Sequence, residues 1–120
     1  MLRYPSSVRV FVCTVATDMR RSFDGLAMMA TSVVQEDPLS GHLFVFINRR
    51  RDRVKVLWWD DDGLAIFYKR LEEGTYELPM GSGGSVEMTD GDLSMLLDGV
   101  DLSSVRRRRR FRLGGAGAGR

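Results

Sequence analysis

Apolar and polar side chains alternate near the start of the chain, over the segment Ser7–Thr14. Its valines recur at every second position and β-branched residues dominate it, which predicts a β-strand. Helical spacing follows, with apolar side chains at Phe23, Leu26, Ala27, Ala30 and Val34. This spacing predicts a helix over residues 22–36. Asp37-Pro38 ends it, because the residue before a proline avoids the α region.

Three further strands are predicted at His42–Asn48, Asp52–Asp60 and Gly63–Leu71, joined by short polar turns. Strands joined in this way form a meander of two successive hairpins. With Asp61-Asp62 as the second turn, the register places Trp59 opposite Leu64, Leu57 opposite Ile66, Lys55 opposite Tyr68 and Lys69 opposite Val54.

Both faces of this second hairpin are apolar, with a lysine at one end of each. A sheet with one solvated face would alternate apolar and polar side chains. We therefore expect both faces to be covered. The helix covers one face, and a second element or a partner chain covers the other.

The remainder of the chain predicts short strands at 76–78 and 85–88 and a short helix capped by Thr89 or Asp90. Leu93, Leu96 and Leu97 form the apolar stripe of that helix. The predicted fold class is α+β: an N-terminal strand, a helix, an antiparallel meander and a short C-terminal helix. As an alternative, the sheet curls into a partial barrel. We expect one domain over residues 1–102 and a disordered Arg-rich, Gly-rich tail over 103–120.

The chain length of 120 residues and the composition fit one globular domain. No apolar run is long enough for a membrane span, and the N-terminus lacks the pattern of a secretory signal. The single cysteine, Cys13, cannot form an internal disulfide, which fits a reducing compartment. We therefore expect a cytoplasmic protein with no membrane contact.

Charge is distributed unevenly along the chain. Residues 1–105 contain 11 of the 18 Lys and Arg residues and all 16 Asp and Glu residues, a net charge of −5. Residues 106–120 contain the other seven cations, all arginine, five of them consecutive at Arg106–Arg110. The arginine run Arg106–Arg112 would attract DNA, RNA or acidic proteins without sequence preference. Because the body of the chain is net negative, the affinity of this run for anionic partners is a separate question from that of the body.

Enzymatic chemistry has little support in the sequence. The three aspartates Asp60–Asp62 invite a metal site, but consecutive side chains in a tight turn point in different directions, and turns favour aspartate for backbone reasons. His42 is the only histidine, so neither a zinc cluster nor a histidine dyad can form. Phosphate-loop and nucleophile motifs are also missing. We expect a protein that is not an enzyme, without catalytic residues, metal or cofactor.

Cations are concentrated at one end of the predicted hairpins. The candidate nucleic-acid-binding residues are Arg49, Arg50, Arg51, Arg53, Lys55, Lys69 and Arg70. Such a patch suits phosphate contacts. The alternative is a solvated turn that keeps the end of the sheet soluble. Aromatic side chains on the same strands are candidates for a protein interface or for the core: Trp58, Trp59, Phe67 and Tyr68.

Three segments carry a family resemblance: "TDMRRSFDGLA", "DPLSGHLFVFINRRRDRVKVLWWDDDGLAIFYKRLEEG" and "LSMLLDGVD". Over residues 4–102 the chain closely resembles the TnpB accessory proteins, encoded by the second reading frame of bacterial insertion sequences of family sixty-six. These are unrelated to the RNA-guided nuclease of the same name. The resemblance ends before the arginine run, where the family tends toward a tryptophan-containing end.

The resemblance implies a small protein encoded beside a transposase and used in transposition of its element, with no established catalytic residues. Combined with the basic patch, it favours an accessory protein that associates with element DNA, with the transposase, or with both. The alternative is an assembly module that binds the transposase or a second copy of itself without touching DNA. A metal-dependent nuclease is the third interpretation.

Overall fold

The computed structural model describes residues 8–78 and 83–98. They form an α+β fold of five strands and two short helices, which confirms the predicted class. In chain order the elements are β1 (Val10–Cys13), α1 (Phe23–Met29), a π-helical turn (Ala30–Val34), β2 (Leu43–Ile47), β3 (Arg53–Asp60), β4 (Gly63–Arg70), β5 (Ser85–Met88) and α2 (Asp90–Leu97). The predicted tail, residues 103–120, lies outside the described residues.

The strands form one open mixed sheet in the order β4-β3-β2-β1-β5. β2, β3 and β4 make the predicted antiparallel meander, and its register is confirmed, with Trp59 opposite Leu64 and Lys55 opposite Tyr68. β1 pairs in parallel with β2, whereas β5 pairs antiparallel with β1. A parallel pair needs a crossover connection, and α1 provides it. The sheet does not close, so the version with a partial barrel is wrong.

Two apolar layers cover the two faces of the sheet, as the doubly apolar hairpin predicted. The layer under α1 consists of Phe11, Cys13, Leu26, Met29, Ala30, Val34, Phe44, Phe46 and Leu57. The layer under α2 consists of Val10, Val12, Leu43, Val45, Ile47, Val54, Val56, Tyr76, Met88, Leu93, Leu96 and Leu97. Every residue of β1 and β2 is buried, because these strands are covered on both faces.

α1 is shorter than its predicted span of residues 22–36. The hydroxyls of Thr31 and Ser32 donate to carbonyls four residues earlier, a contact that bends helices, and the chain continues as the π-helical turn. Gln35 then takes a left-handed φ of 66° and ends the helical segment before Asp37-Pro38. Phe23, predicted to face the core, is exposed, and Met29 is buried instead.

Residues 76–78 form no strand, contrary to prediction. The backbone N–H of Tyr76 donates to the carbonyl of Arg51 at 2.7 Å, so the chain crosses the end of the β2–β3 hairpin and does not pair with the sheet. The Tyr76 ring is nevertheless completely buried. Burial, with a smaller effect of the Asp52 carboxylate, raises the pKa of Tyr76 to about 12.

α2 begins with a capping box that confirms Thr89 as its N-cap. The Thr89 hydroxyl accepts from the N–H of Asp92 at 3.1 Å, and the Asp92 carboxylate accepts from the N–H of Thr89 at 3.4 Å. Leu93, Leu96 and Leu97 are buried, as predicted. No helix in the described part of the chain is long and apolar enough to cross a membrane.

Candidate nucleic-acid interface

The β2–β3 turn is built around the side chain of Asn48. Its Oδ1 accepts from the backbone N–H groups of Asp52 and Arg53, both at 3.0 Å, and its Nδ2 donates to the Asp52 carboxylate at 2.7 Å. Arg51 takes a left-handed φ of 62° and donates its N–H to the Asn48 carbonyl. These bonds fix a compact loop that leaves Arg49, Arg50 and Arg51 exposed.

Later segments of the chain hold this loop against the sheet. The Leu71 N–H donates to the carbonyl of Asp52 and the Tyr76 N–H to that of Arg51, both at 2.7 Å. The hydrogen bond from Asn48, assisted by the charges of Arg50 and Arg53, lowers the pKa of Asp52. The three exposed arginines therefore project from a well-anchored backbone that carries one ionised carboxylate.

Arg53 and Arg70 lie directly opposite each other on β3 and β4. Like charges at opposite positions of antiparallel strands destabilise a sheet. The Arg70 guanidinium contacts the Glu72 carboxylate at 3.0 Å, whereas the Nε of Arg53 is buried without a hydrogen-bond acceptor among the described residues. A buried donor without an acceptor is costly, so this Nε–H opposes folding.

An open cleft of about 710 Å³ lies between the β2–β3 turn, which carries Arg49 and Arg50, and the loop between β1 and α1. Its lining comprises Ala16, Thr17, Asp18, Met19, Arg20, Asn48, Arg49, Arg50, Arg53 and Tyr68. Four of these residues are arginines and one is an aspartate, so cations exceed anions by three. The cleft is therefore suited to an anionic group.

The loop side of the cleft is organised by Asp18. Its carboxylate accepts from the Arg20 N–H at 2.9 Å and from the Arg20 guanidinium at 2.6 Å, and these bonds lower the pKa of Asp18 to about 2. The Thr17 N–H donates to the carbonyl of Ile47, which attaches the loop to the end of β2. The sequence offered Arg20 and Arg21, ahead of the helix, as cations that add to the basic patch, and Arg20 lines the cleft; the hydrogen bonds of Asp18 and Thr17 were not predicted.

Two of the seven predicted cations, Lys55 and Lys69, donate to backbone carbonyls within the protein. Lys55 is 8% exposed, and its ammonium donates to the carbonyls of Met19 and Arg21 at 2.8 and 2.7 Å and lies 4.7 Å from the centre of the Tyr68 ring. It ties the cleft loop to the sheet. Lys69 lies on the opposite face, where its ammonium donates to the Leu97 carbonyl at 2.7 Å, at the C-terminal end of α2.

The four aromatic candidates occupy both faces of the β3–β4 hairpin. Trp58 and Phe67 are half-buried and pack against the layer under α2. Trp59 is half-buried on the α1 face, and Tyr68 is 50% exposed at the cleft. Trp58 is thus the tryptophan that contributes to the core, and Tyr68 is the one of these four aromatic side chains that lines the cleft.

The remaining polar candidates are held in local contacts. His42 accepts the Arg9 N–H on Nδ1 at 3.0 Å and packs edge-on against Phe11. Burial raises the pKa of Cys13, whose thiol donates to the Val15 carbonyl. Asp60, Asp61 and Asp62 are exposed in the β3–β4 turn, and no group of three or more metal-ligating side chains converges within the described ranges.

Comparison with known proteins identifies the family. Residues 8–107 match the model of the IS66 Orf2-like proteins. The chain belongs to this family. The resemblance stated from the sequence is thus confirmed, and the IS66 Orf2-like chain is a transposition accessory protein of an insertion sequence. No enzymatic activity is known for this family of accessory proteins.

Two curated relatives of this IS66 Orf2-like chain come from Sinorhizobium fredii (strain NBRC 101917 / NGR234). The uncharacterized protein y4hO is 41% identical over 101 residues, which cover 84% of this chain and 88% of y4hO. The uncharacterized protein y4jC is 34% identical over 101 residues, covering 84% of this chain and 86% of y4jC. No solved structure matches the chain.

Proposed function

We propose that this IS66 Orf2-like protein is a non-catalytic accessory factor that contacts DNA of its insertion sequence through the arginine-lined cleft. The phosphate-binding groups are the guanidinium groups of Arg49, Arg50 and Arg53, whose side chains line the cleft. Arg51 is exposed on the same turn, and the Arg70 guanidinium contacts Glu72. The observation that carries the proposal is the convergence of four arginines on one cleft that contains a single aspartate.

The chemistry of the cleft fits the DNA backbone better than the bases. Guanidinium groups bind phosphate oxygens through two parallel N–H donors, and such contacts position a protein on DNA without reading its sequence. Each neutralised phosphate releases counterions and steepens the salt dependence of binding, with a slope of about 0.9 per phosphate on duplex DNA. This surface would therefore hold element DNA in place for the transposase without selecting a sequence.

Lys55 and Lys69 are not part of the proposed contact surface. Their ammonium groups already donate to backbone carbonyls within the protein. Moving either ammonium to a phosphate would break those bonds and leave the carbonyls without donors. Lys55 supports the cleft indirectly, because it holds the loop that carries Arg20.

The experiment compares two full-length variants with equal loss of charge. One replaces Arg49, Arg50 and Arg53 by glutamine, and the other replaces Arg106, Arg107 and Arg108 by glutamine. Binding to element-end duplex and to unrelated duplex is followed by fluorescence anisotropy at several salt concentrations.

We expect the cleft variant to bind both duplexes more weakly and to lower the salt slope by about 2–3, since up to three phosphate contacts are lost. The tail variant should retain the steeper slope. If the cleft variant binds like the native protein and only the tail variant loses affinity, the cleft is not the DNA surface. In that case the body of the protein works through contacts with the transposase, and transposase binding becomes the function to measure.

A further inference from the structure

The two edges of the sheet differ sharply. β5 has four residues, and its exposed Glu87 carboxylate is paired with Arg9 at 2.8 Å. β4 has eight residues, contains no proline, and carries its charges, Lys69 and Arg70, only at its last two positions. Proteins usually protect long edge strands with charge, proline or a covering element, since an open edge pairs with other strands.

Each central side chain of β4 is half-buried, on both faces of the sheet. Leu64 and Ile66 lie against the layer under α1, and Phe67 lies against the layer under α2. In contrast, every residue of β1 and β2 is buried. Within the described part of the chain, β4 pairs with β3 alone, so it combines an open backbone edge with incompletely covered apolar side chains.

The hydrogen-bonding pattern identifies which backbone groups of β4 are free. The Leu71 N–H donates to the Asp52 carbonyl, so odd-numbered positions bond to β3. In an antiparallel pair, positions alternate between those that bond to the neighbour and those that point away. The N–H and C=O groups of Leu64, Ile66, Tyr68 and Arg70 therefore point outward from the edge.

We propose that β4 is a self-association surface, on which a second copy of this chain adds its own β4 antiparallel to the first. The argument for a second copy is charge. β4 begins beside the acidic turn Asp60–Asp62 and ends at Arg70, an exposed cation whose guanidinium also contacts Glu72, while the preceding Lys69 is held by the Leu97 carbonyl. Antiparallel self-pairing brings the acidic end of each strand to the basic end of the other, whereas parallel pairing would place like charges together.

The register follows from the same charges. With the two-fold axis at Ile66, Asp62 faces Arg70 of the second copy and Leu64 faces its Tyr68. Shifting the axis to Phe67 would place Asp62 opposite Glu72, two like charges. The Ile66-centred register also pairs small Ala65 with large Phe67, and it uses the outward-pointing backbone groups of the even-numbered positions.

This pairing would extend the sheet across the two-fold axis and cover the half-exposed side chains of β4. Its two interfacial patches are identical and self-complementary, as a closed two-fold dimer requires. The inference rests on the β4 edge alone and is independent of the proposed contact with DNA.

The test is a charge exchange in the full-length protein without DNA. Asp62→Arg and Arg70→Asp each turn two attractive contacts of the dimer into repulsive ones. The double variant restores both attractive contacts, with the positive and negative charges exchanged between positions 62 and 70. Glu77→Arg, an equal charge reversal at an exposed position outside the sheet, is the matched control. Sedimentation equilibrium over about 1 µM to 1 mM measures the dimer dissociation constant.

Each single variant should weaken dimerisation about tenfold, and the double variant and the control should dimerise like the native protein. A protein that remains monomeric up to about 1 mM overturns the proposal. So does a dimer that is unaffected by both single variants, since the contact then lies elsewhere.

Amide hydrogen exchange provides a second readout that does not depend on mutation. Upon raising the protein concentration, the outward-pointing amides of Leu64, Ile66 and Tyr68 should become protected. The amides of Ala65 and Phe67 bond to β3 and should be protected at every concentration. If the outward amides are already protected in the monomer, another segment of the same chain covers the β4 edge, and the proposal is wrong.

Discussion

Arg53 and Arg70 face each other across β3 and β4, with the Arg53 Nε buried and unpaired among the described residues. Like charges at opposite strand positions destabilise a sheet, and an anion in the cleft that Arg53 lines would offset that repulsion. This relationship ties the strand register to the proposed contact with phosphate.

Replacing Arg53 by glutamine should separate stability from DNA binding. The substitution removes the like-charge pair, so we expect the free energy of unfolding to rise by up to about 0.5 kcal/mol. DNA affinity should fall, because the cleft loses one of its four arginine charges. Thermal melts and anisotropy titrations of the same variant measure both quantities. A destabilised variant with unchanged DNA affinity would assign Arg53 a structural role only.

Replacing Lys55 by methionine should destabilise the protein more than replacing Lys69 by methionine. The Lys55 ammonium is buried and donates to two carbonyls, and a hydrogen bond from a charged group contributes about 1.5–3 kcal/mol. Lys69 donates to one carbonyl at a helix end, where we expect a loss of about 1 kcal/mol. Urea denaturation checks the order, with Arg49→Met as the exposed control. Equal losses for both lysines would contradict this account.

The ion pair between Asp18 and Arg20 makes stability depend on pH. The pKa of Asp18 is about 2 in the folded protein, below its ordinary value of 3.8, so the folded state binds fewer protons. The contribution of Asp18 is complete above about pH 4 and disappears as the pH falls toward about 2. The difference in Tm between the native protein and Asp18→Asn should therefore shrink across that range. A difference that stays constant from about pH 6 to 2 would refute the pairing.

Replacing Gly84 by alanine should strongly destabilise the fold. A Cβ at this position would come within van der Waals overlap of the Val33 carbonyl oxygen, and backbone atoms cannot move aside as a flexible side chain can. We expect a loss of about 3 kcal/mol, at the upper end for overpacking. Gly63→Ala is the control, since nothing lies within 4 Å of the added methyl group. Calorimetry that finds equal melting temperatures for the two variants would contradict the close approach.

The meander could be predicted from the sequence because short turns join strands that are adjacent in the chain. Turn residues separate β3 from β4 by two positions, so the alternation of each strand fixes the register, including Lys55 opposite Tyr68. The parallel pairing of β1 with β2 and the position of β5 depend on contacts distant in the sequence. No residue pattern in β1 specifies its neighbours, and its burial on both faces comes from the apolar layers under α1 and α2, whose residues are distant in the sequence.

The sequence identified the candidate residues of the site but not the contacts that each of them makes. The arginines of the β2–β3 turn were recognisable because a short polar turn leaves long cations exposed. Lys55 and Lys69 were grouped with them by charge alone, and the carbonyls that accept from their ammonium groups come from segments distant in the sequence, at Met19, Arg21 and Leu97. Whether a lysine ammonium remains available for a ligand depends on which backbone carbonyls the fold brings within hydrogen-bonding distance of it.

The most direct measurement is an NMR titration of the arginine Nε–H signals of the full-length protein with element-end DNA. We predict that the Arg49, Arg50 and Arg53 signals shift, because these three side chains line the cleft that the phosphates would enter. The Arg9 signal should stay in place, since its guanidinium is paired with Glu87. Shifts confined to arginines 106–112 would contradict the central claim that the cleft holds the DNA backbone.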